Sequence, residues 1–211
     1  MAVRMEPIRD PRKIRELIQY VLDNGYKRDA ILILFSLNTL LRISDMLDIK
    51  YEDIFDQNGK VRDYFDVIEK KSVNKLEKPT VRSRKKTRRI KLPRDFAEEL
   101  TKYAEELEMA PGDYFFYSTI DPSQPMHRKT AWRRMKKYGE QLNIDHLGCH
   151  GLRKTGGYQM WKKGVPIRVI SELYGHTNTT QTMVYISINQ DEVDGALEKM
   201  NFSFTRILRE Y

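Results

Sequence analysis

Five side chains able to handle a phosphodiester are spread over four short segments of this sequence. His150 and Arg153 lie one helical turn apart in CHGLRKT, His176 follows Gly175 in LYGHTN, and Tyr185 stands nine residues further on in TMVY. Arg42 joins them from far upstream, in NTLLRISDMLDI. Two guanidiniums, two imidazoles and a phenol, brought together by a fold, are what an attack on a phosphodiester without a metal ion requires.

The reason is chemical. The pentavalent transition state gathers negative charge on two non-bridging oxygens, and arginine meets it with a planar fork that makes paired hydrogen bonds and keeps its charge. Loss of one such preorganised donor typically costs about 10²–10³ in rate. A tyrosine can hold the phosphate covalently and so conserve the bond energy for rejoining. A free phenol with a pKa of ~10 is mostly protonated near neutrality, so it needs a base close by. The departing oxygen needs a proton, which a lysine or histidine can supply.

Taken singly, each signal has an ordinary reading. An HxxR pair also arises by chance on a solvated helix face, a histidine after glycine can cap a helix, and apolar neighbours would suit Tyr185 to a core. Order and spacing carry the weight. LRISD, HGLRKT, LYGH and MVY, in that sequence, resemble the catalytic pattern of the tyrosine recombinases, the phage-integrase family, over about residues 12 to 200.

That resemblance implies Tyr185 as the nucleophile forming a 3′-phosphotyrosyl bond, and Arg42 and Arg153 as clamps on the scissile phosphate. It implies His150 as acid/base for the tyrosine proton, His176 as a hydrogen-bond donor to the phosphate, and Asp45 as a supporting carboxylate beside Arg42. No metal, nucleotide or organic cofactor is implied. The general-acid lysine expected on a strand hairpin is best matched by Lys71 in EKKSVNK, with Lys75, Lys85 and Lys86 as alternatives because extra residues separate that turn from KKTRRIKLP. Lys154 and Gly156-Gly157 depart from the commoner run after the second arginine without removing a catalytic group.

The elements that must position these groups can be read from periodicity. Helical spacing runs through PRKIRELIQYVLDNG, KRDAILILFSLNTL and LRISDMLDI, then through PRDFAEELTKYAEELE and segments 127–142, 150–162, 166–174, 179–187 and 190–200. Strands are expected at YEDIF and VRDYFDVIEK around the Asn58-Gly59 turn, with a third in TVRSRKKTRRIKL. The fold class is therefore α+β, mainly α: a helical catalytic domain with a small three-stranded antiparallel sheet. A single domain over residues 1–211 is expected, without the N-terminal core-binding domain that usually precedes this one in the family. Trp132 and Trp161 are expected in the core from their helical spacing, and Cys149 as a small packing residue.

Composition bounds the partners. Of 211 residues, 38 are Lys or Arg and 30 are Asp or Glu, a net charge of +8 that favours a polyanion. The basic tracts 81–91 and 127–137 make Arg84, Lys85, Lys86, Arg88, Arg128, Lys129 and Arg133 candidate contacts to the backbone of double-stranded DNA. Self-association into a tetramer on DNA is expected through the C-terminal segment, where Val193, Ala196, Leu197 and Met200 share a helix face. One cysteine, no signal-peptide core and no membrane-length apolar run point to a cytoplasmic, nucleoid-associated protein. The activities consistent with all this are site-specific recombination or integration, type IB topoisomerase-like nicking and closing, or DNA binding by a catalytically silent regulator.

Overall fold

A ring of aromatic edges around Phe35 organises the larger of two cores. Its ring meets those of Phe65, Phe96 and Phe116 edge-on at 5.6–5.7 Å between centroids, a geometry that suits the aromatic quadrupole. The computed structural model describes residues 5–68, 87–188 and Gly195. Lys71, Lys75, Arg84, Lys85, Lys86 and the expected 190–200 helix, Gly195 excepted, therefore lie outside the described residues.

Phe35 belongs to helix α2 (Lys27–Thr39), which is buried on most sides, with Ile31, Leu32, Ile33 and Ser36 almost fully enclosed. Before it, α1 (Pro11–Asp23) starts on Asp10, whose carboxylate accepts from the Arg12 amide at 2.8 Å, with Pro11 at the first helical position. It presents Leu17 and Val21 inward. After α2 come two one-turn helices, α3 (Ile43–Met46) and α4 (Tyr51–Ile54).

The sheet is smaller than expected. Among the described residues it has two antiparallel strands, β1 (Tyr64–Ile68) and β2 (Thr87–Lys91), in the register Phe65 to Ile90 and Val67 to Arg88. YEDIF does not form the first of the three expected strands; its first four residues are α4. Its acids explain why: Glu52 and Asp53 fall in the first turn, and the Asp53 carboxylate accepts from the Lys50 amide at 2.9 Å, which closes the helix start. The Asn58-Gly59 turn does form. The Asp56 carboxylate receives the amides of Asn58 and Lys60, and Gly59 takes φ 72°, but the turn joins a helix to β1 through a single Phe55–Val61 bridge.

Helix α5 (Arg94–Glu106) covers this core with Phe96, Leu100 and Tyr103, and α6 (Arg128–Leu142) adds Ala131, Met135 and Tyr138. Trp132, expected inside, is 44% exposed. The inward stripe of α6 runs through positions 131, 135 and 138, and the neighbouring position is turned about a quarter circle away.

Helix α7 (Cys149–Lys162) is buried continuously from Gly151 to Tyr158 and lies against α2. Helix α8 (Ile167–Tyr174) and helix α9 (Thr179–Tyr185) follow. The second, smaller core joins Leu40, Tyr158, Ile170, Tyr174 and Ile186, with Trp161 packed against it. It supports the ends of α2, α7, α8 and α9, and the candidate site lies there.

The paired glycines of α7 permit this packing. A Cβ at position 156 would lie 2.6 Å from the Leu37 carbonyl oxygen and 2.5 Å from Leu40 Cδ2, and one at 157 would run into the Tyr174 ring. Gly156→Ala should thus lose more from overpacking, typically about 1–3 kcal/mol, than the ~1 kcal/mol gained in helix propensity. The expected outcome is a lower urea midpoint with an unchanged slope. A midpoint at or above that of the parent chain would show that α7 does not need this close approach.

Candidate active site

Arg153 is at the centre of the site, 2% exposed within the stretch of α7 that is buried from Gly151 to Tyr158. A guanidinium taken out of water needs fixed acceptors. Its Nε donates to the Leu40 carbonyl at 2.6 Å and its Nη2 to the Tyr174 carbonyl at 3.1 Å. Leu40 can offer that carbonyl because α2 ends there in a left-handed conformation, φ 53° and ψ 27°. For a leucine this geometry costs roughly 1–2 kcal/mol, and the fully buried Leu40 side chain helps to hold it. Burial pushes the Arg153 pKa down; the phenol of Tyr185 opposes that shift, and the nearby Arg42 cation adds to it.

Arg42 is two residues beyond Leu40, at the capping position of α3, and is half-buried. Its charge acts on both Arg153 and Tyr185. One turn later Asp45 is 5% exposed and accepts from the Ser44 hydroxyl at 3.2 Å, so it is an interior carboxylate of the arginine-bearing segment. The left-handed turn at Leu40 thus serves both arginines: it supplies the acceptor for one and starts the segment that carries the other.

Around these cations stand four rings. Tyr185 meets Tyr174 at 5.0 Å, His176 at 5.3 Å and His150 at 5.9 Å between centroids, each nearly edge-on, while Tyr174 stacks on His176 at 5.1 Å and 18°. The Arg153 guanidinium carbon lies 4.8 Å from the Tyr174 centroid and 5.6 Å from that of Tyr185. The Tyr185 hydroxyl is enclosed. Burial raises its pKa, and Arg153 and Arg42 work against that rise.

His176 is placed by the turn after α8. Gly175 caps the helix at φ 69°, a conformation easy for glycine, and the His176 amide returns to the Ser171 carbonyl at 2.9 Å. Its Nδ1 lies 2.9 Å from the Thr182 hydroxyl, which is fully buried and 2.7 Å from that of Ser171. His150, on the first turn of α7, is exposed. Beside it opens a hollow of about 390 Å³ lined by Met5, Ile43, Arg128, Lys129, Trp132 and Cys149. Burial pushes the Cys149 thiol up to about 12, which suits a packing residue.

Arg42, His150, Arg153, His176 and Tyr185 are therefore brought together, and Asp45 is buried one turn after Arg42. Arg128, Lys129 and Arg133 are exposed on α6. Arg88, expected on a DNA-facing surface, is turned inward at 7% exposure and donates to the Thr39 carbonyl at 3.3 Å. Strand alternation is the reason: Phe65, Val67 and Ile90 fix the buried face, and position 88 falls on it while Arg89 and Lys91 face out.

Three contributors were not legible as site residues. Tyr174 donates its hydroxyl to the Arg153 carbonyl at 2.7 Å, Thr182 orients His176, and Lys154 places its ammonium 5.4 Å from the Tyr185 centroid while donating to the Met5 carbonyl at 2.7 Å. Lys154 alone left a trace, as the departure after the second arginine.

Two outcomes follow from this geometry. Thr182→Val keeps the shape but removes the partner of His176, and should slow any phosphodiester chemistry here about tenfold with little change in thermal midpoint. Equal rates would show that the imidazole is oriented by something else. Burial also raises the phenols of Tyr103, Tyr138, Tyr174 and Tyr185. Above about pH 10 the unfolded phenols ionise before the folded ones, so the unfolded chain binds fewer protons and stability falls as pH rises. Chemical denaturation between pH 8 and 11 should show a plateau and then a decline; a flat profile to pH 11 would contradict the burial of these groups.

Comparison with known proteins agrees with this constellation. Residues 10–192 match the model of the phage integrase family. The probable integrase/recombinase YoeC of Bacillus subtilis is 31% identical over 192 residues, which cover 91% of this chain and 94% of that relative. The tyrosine recombinase XerA of Pyrococcus furiosus is 27% identical over 191 residues, 90% of this chain but 60% of its own length. In fold, the chain is similar to a crystal structure of XerA recombinase, with a TM-score of 0.70 at 18% identity over 94% of this chain and 67% of that one. It is also similar to the XerH site-specific recombinase bound to a palindromic difH substrate, with a TM-score of 0.67 at 15% identity over 92% of this chain and 53% of that one. With a family match over most of its length and the two arginines, two histidines and tyrosine gathered in one pocket, the chain belongs to the phage integrase family of tyrosine recombinases.

Proposed function

We propose that this chain is the catalytic domain of a site-specific DNA recombinase or integrase, which cuts and rejoins one strand of duplex DNA through Tyr185. The observation that carries the reading is the position of that tyrosine. Its ring lies in the pocket of its own chain, 5.6 Å from the buried guanidinium of Arg153 and within 6 Å of both imidazoles. A phosphodiester entering from the side of His150 would meet Arg42 and Arg153 on its non-bridging oxygens, with His176 as a further donor.

In the proposed step the Tyr185 oxygen bonds to phosphorus and the bond to the 5′ oxygen breaks. The phenolic proton goes to His150, and the departing 5′ oxygen takes a proton from a general acid. Lys71, or Lys75, Lys85 or Lys86, is the candidate for that acid. The products are a 3′-phosphotyrosyl enzyme and a 5′ hydroxyl, and attack by a 5′ hydroxyl reverses the step. Arg128 and Lys129 line the hollow next to His150, and Arg133 is exposed on the same helix. They are suited to phosphate contacts that fix register, so affinity should fall steeply with salt.

Double-stranded DNA is thus the proposed substrate, with tetramer formation through the C-terminal segment and a cytoplasmic, nucleoid-associated setting as parts of the same reading. Among the described residues no helix is long and apolar enough to cross a membrane. The single-domain arrangement over residues 1–211 also belongs to this proposal.

A suicide duplex nicked next to the cleavage position, incubated with the chain in EDTA, provides the test. A covalent protein–DNA adduct should form and should disappear in Tyr185→Phe, while Arg42→Lys and Arg153→Lys should each slow trapping about 10²–10³-fold. An adduct that survives Tyr185→Phe would falsify the assignment of the nucleophile. DNA binding with no adduct from the unsubstituted chain would favour a regulator. Joining of two duplexes would then separate a recombinase from an enzyme that only relaxes DNA.

A further inference from the structure

The first described residues run as a strap along α7 to the turn that follows α9. The Met5 carbonyl accepts from Lys154 Nζ at 2.7 Å, the Ile8 amide donates to the Thr155 hydroxyl at 2.9 Å, and Gln159 Nε2 donates to the Ile8 and Arg9 carbonyls at 3.0 Å each. The strap is thereby fixed along α7, the helix of His150 and Arg153. At its end Arg9 reaches elsewhere. Its guanidinium carbon lies 5.0 Å from the Tyr158 centroid, and its Nη2 donates to the Ser187 carbonyl at 2.8 Å.

Ser187 is two residues past the nucleophile and closes the turn after α9. It adopts φ 58°, a left-handed geometry that a serine holds only where its surroundings impose it, and the Ile188 amide returns to the Met183 carbonyl at 3.1 Å. Helix α9 has seven residues, too few to be stable as an isolated helix. Its placement therefore depends on tertiary ties. The Asn178 cap and the Thr182–His176 contact hold its start and middle, Ile186 is fully buried, and the bond from Arg9 holds the turn that follows Tyr185.

We propose that Arg9 is a positioning residue for the nucleophile: through the Ser187 carbonyl it keeps the tyrosine helix seated in the pocket of its own chain. The inference rests on the reading of Tyr185 as nucleophile. It assigns Arg9 no contact with DNA or with the reacting atoms.

The test combines trapping rate, DNA affinity and a mixed-chain assay on the full chain with the nicked suicide duplex. Arg9→Ala should slow single-turnover adduct formation about five- to tenfold, leave the dissociation constant for uncleaved duplex within about twofold, and be partly restored by Arg9→Lys. In the mixed assay, an Arg153→Lys chain keeps its tyrosine but has a defective pocket, and a Tyr185→Phe chain supplies an intact pocket. Adduct on the Arg153→Lys chain then reports a tyrosine entering another chain's pocket, and adding Arg9→Ala to that chain should increase it. An unchanged trapping rate overturns the proposal. So does a rate that falls together with the thermal midpoint and brings no gain in the mixed assay, since that pattern marks a merely structural residue. Failure of the unsubstituted chain to form any adduct would appear before any Arg9 variant is compared, and would overturn the enzymatic reading and this inference with it.

Discussion

The structure depends above all on a buried cation satisfied by main-chain oxygens. Arg153 is almost wholly withdrawn from water, and the carbonyls of Leu40 and Tyr174 hold two edges of its guanidinium. An unpaired charge at that depth would be strongly destabilising. These two bonds therefore join the end of α2, the middle of α7 and the end of α8 into one unit. Leu40 accepts a left-handed backbone to make the first bond, and the same turn sets the start of the segment carrying Arg42 and Asp45. Gly156 and Gly157 allow α7 to lie close enough to Leu37, Leu40 and Tyr174 for both bonds to reach.

Around this fixed charge the remaining groups are held with graded firmness. His176 is stacked on Tyr174 and bonded to Thr182, so its ring has a defined plane. Tyr185 is held mainly by ring edges and by a short helix tethered at its ends. The proposed nucleophile, which would attack, become covalently attached and later be released, suits a locally weaker element, whereas the proposed phosphate clamp suits a rigid one. Burial raises the pKa of the Tyr185 phenol, and the two guanidiniums oppose that rise. The site is thus built so that the cations favouring the phenolate are the ones proposed to bind phosphate.

Departures from the sequence-based expectations have local causes. YEDIF carries a strand-like pattern, but two acids in its first turn and a self-contained cap make it helical. Trp132 shares α6 with core residues yet lies off their stripe, where it borders the hollow beside His150. Arg88 sits among basic residues and still points inward, because the pleat places every second side chain of β2 on the core face. In each case composition indicated the character of the segment and the geometry of the element decided which side chain faced where.

Apart from α4, the order and type of the described helices were legible from apolar spacing, caps and glycine stops, since those are local effects. The candidate site residues were legible too, because the order and spacing of two arginines, two histidines and a tyrosine resemble the catalytic pattern of the tyrosine recombinases. Whether they would meet was decided by tertiary structure alone: Arg42 is more than a hundred residues from Arg153, and only the packing of α2 against α7 brings them to one pocket. The supporting contacts were equally hidden. The Leu40 carbonyl, the Tyr174 hydroxyl, the Thr182 hydroxyl and the Arg9–Ser187 bond involve main-chain atoms or ordinary side chains that carry no signature of their own. Residue types set what the pocket can do; the backbone's path set which atoms hold them in place, because carbonyl directions exist only once the chain has folded.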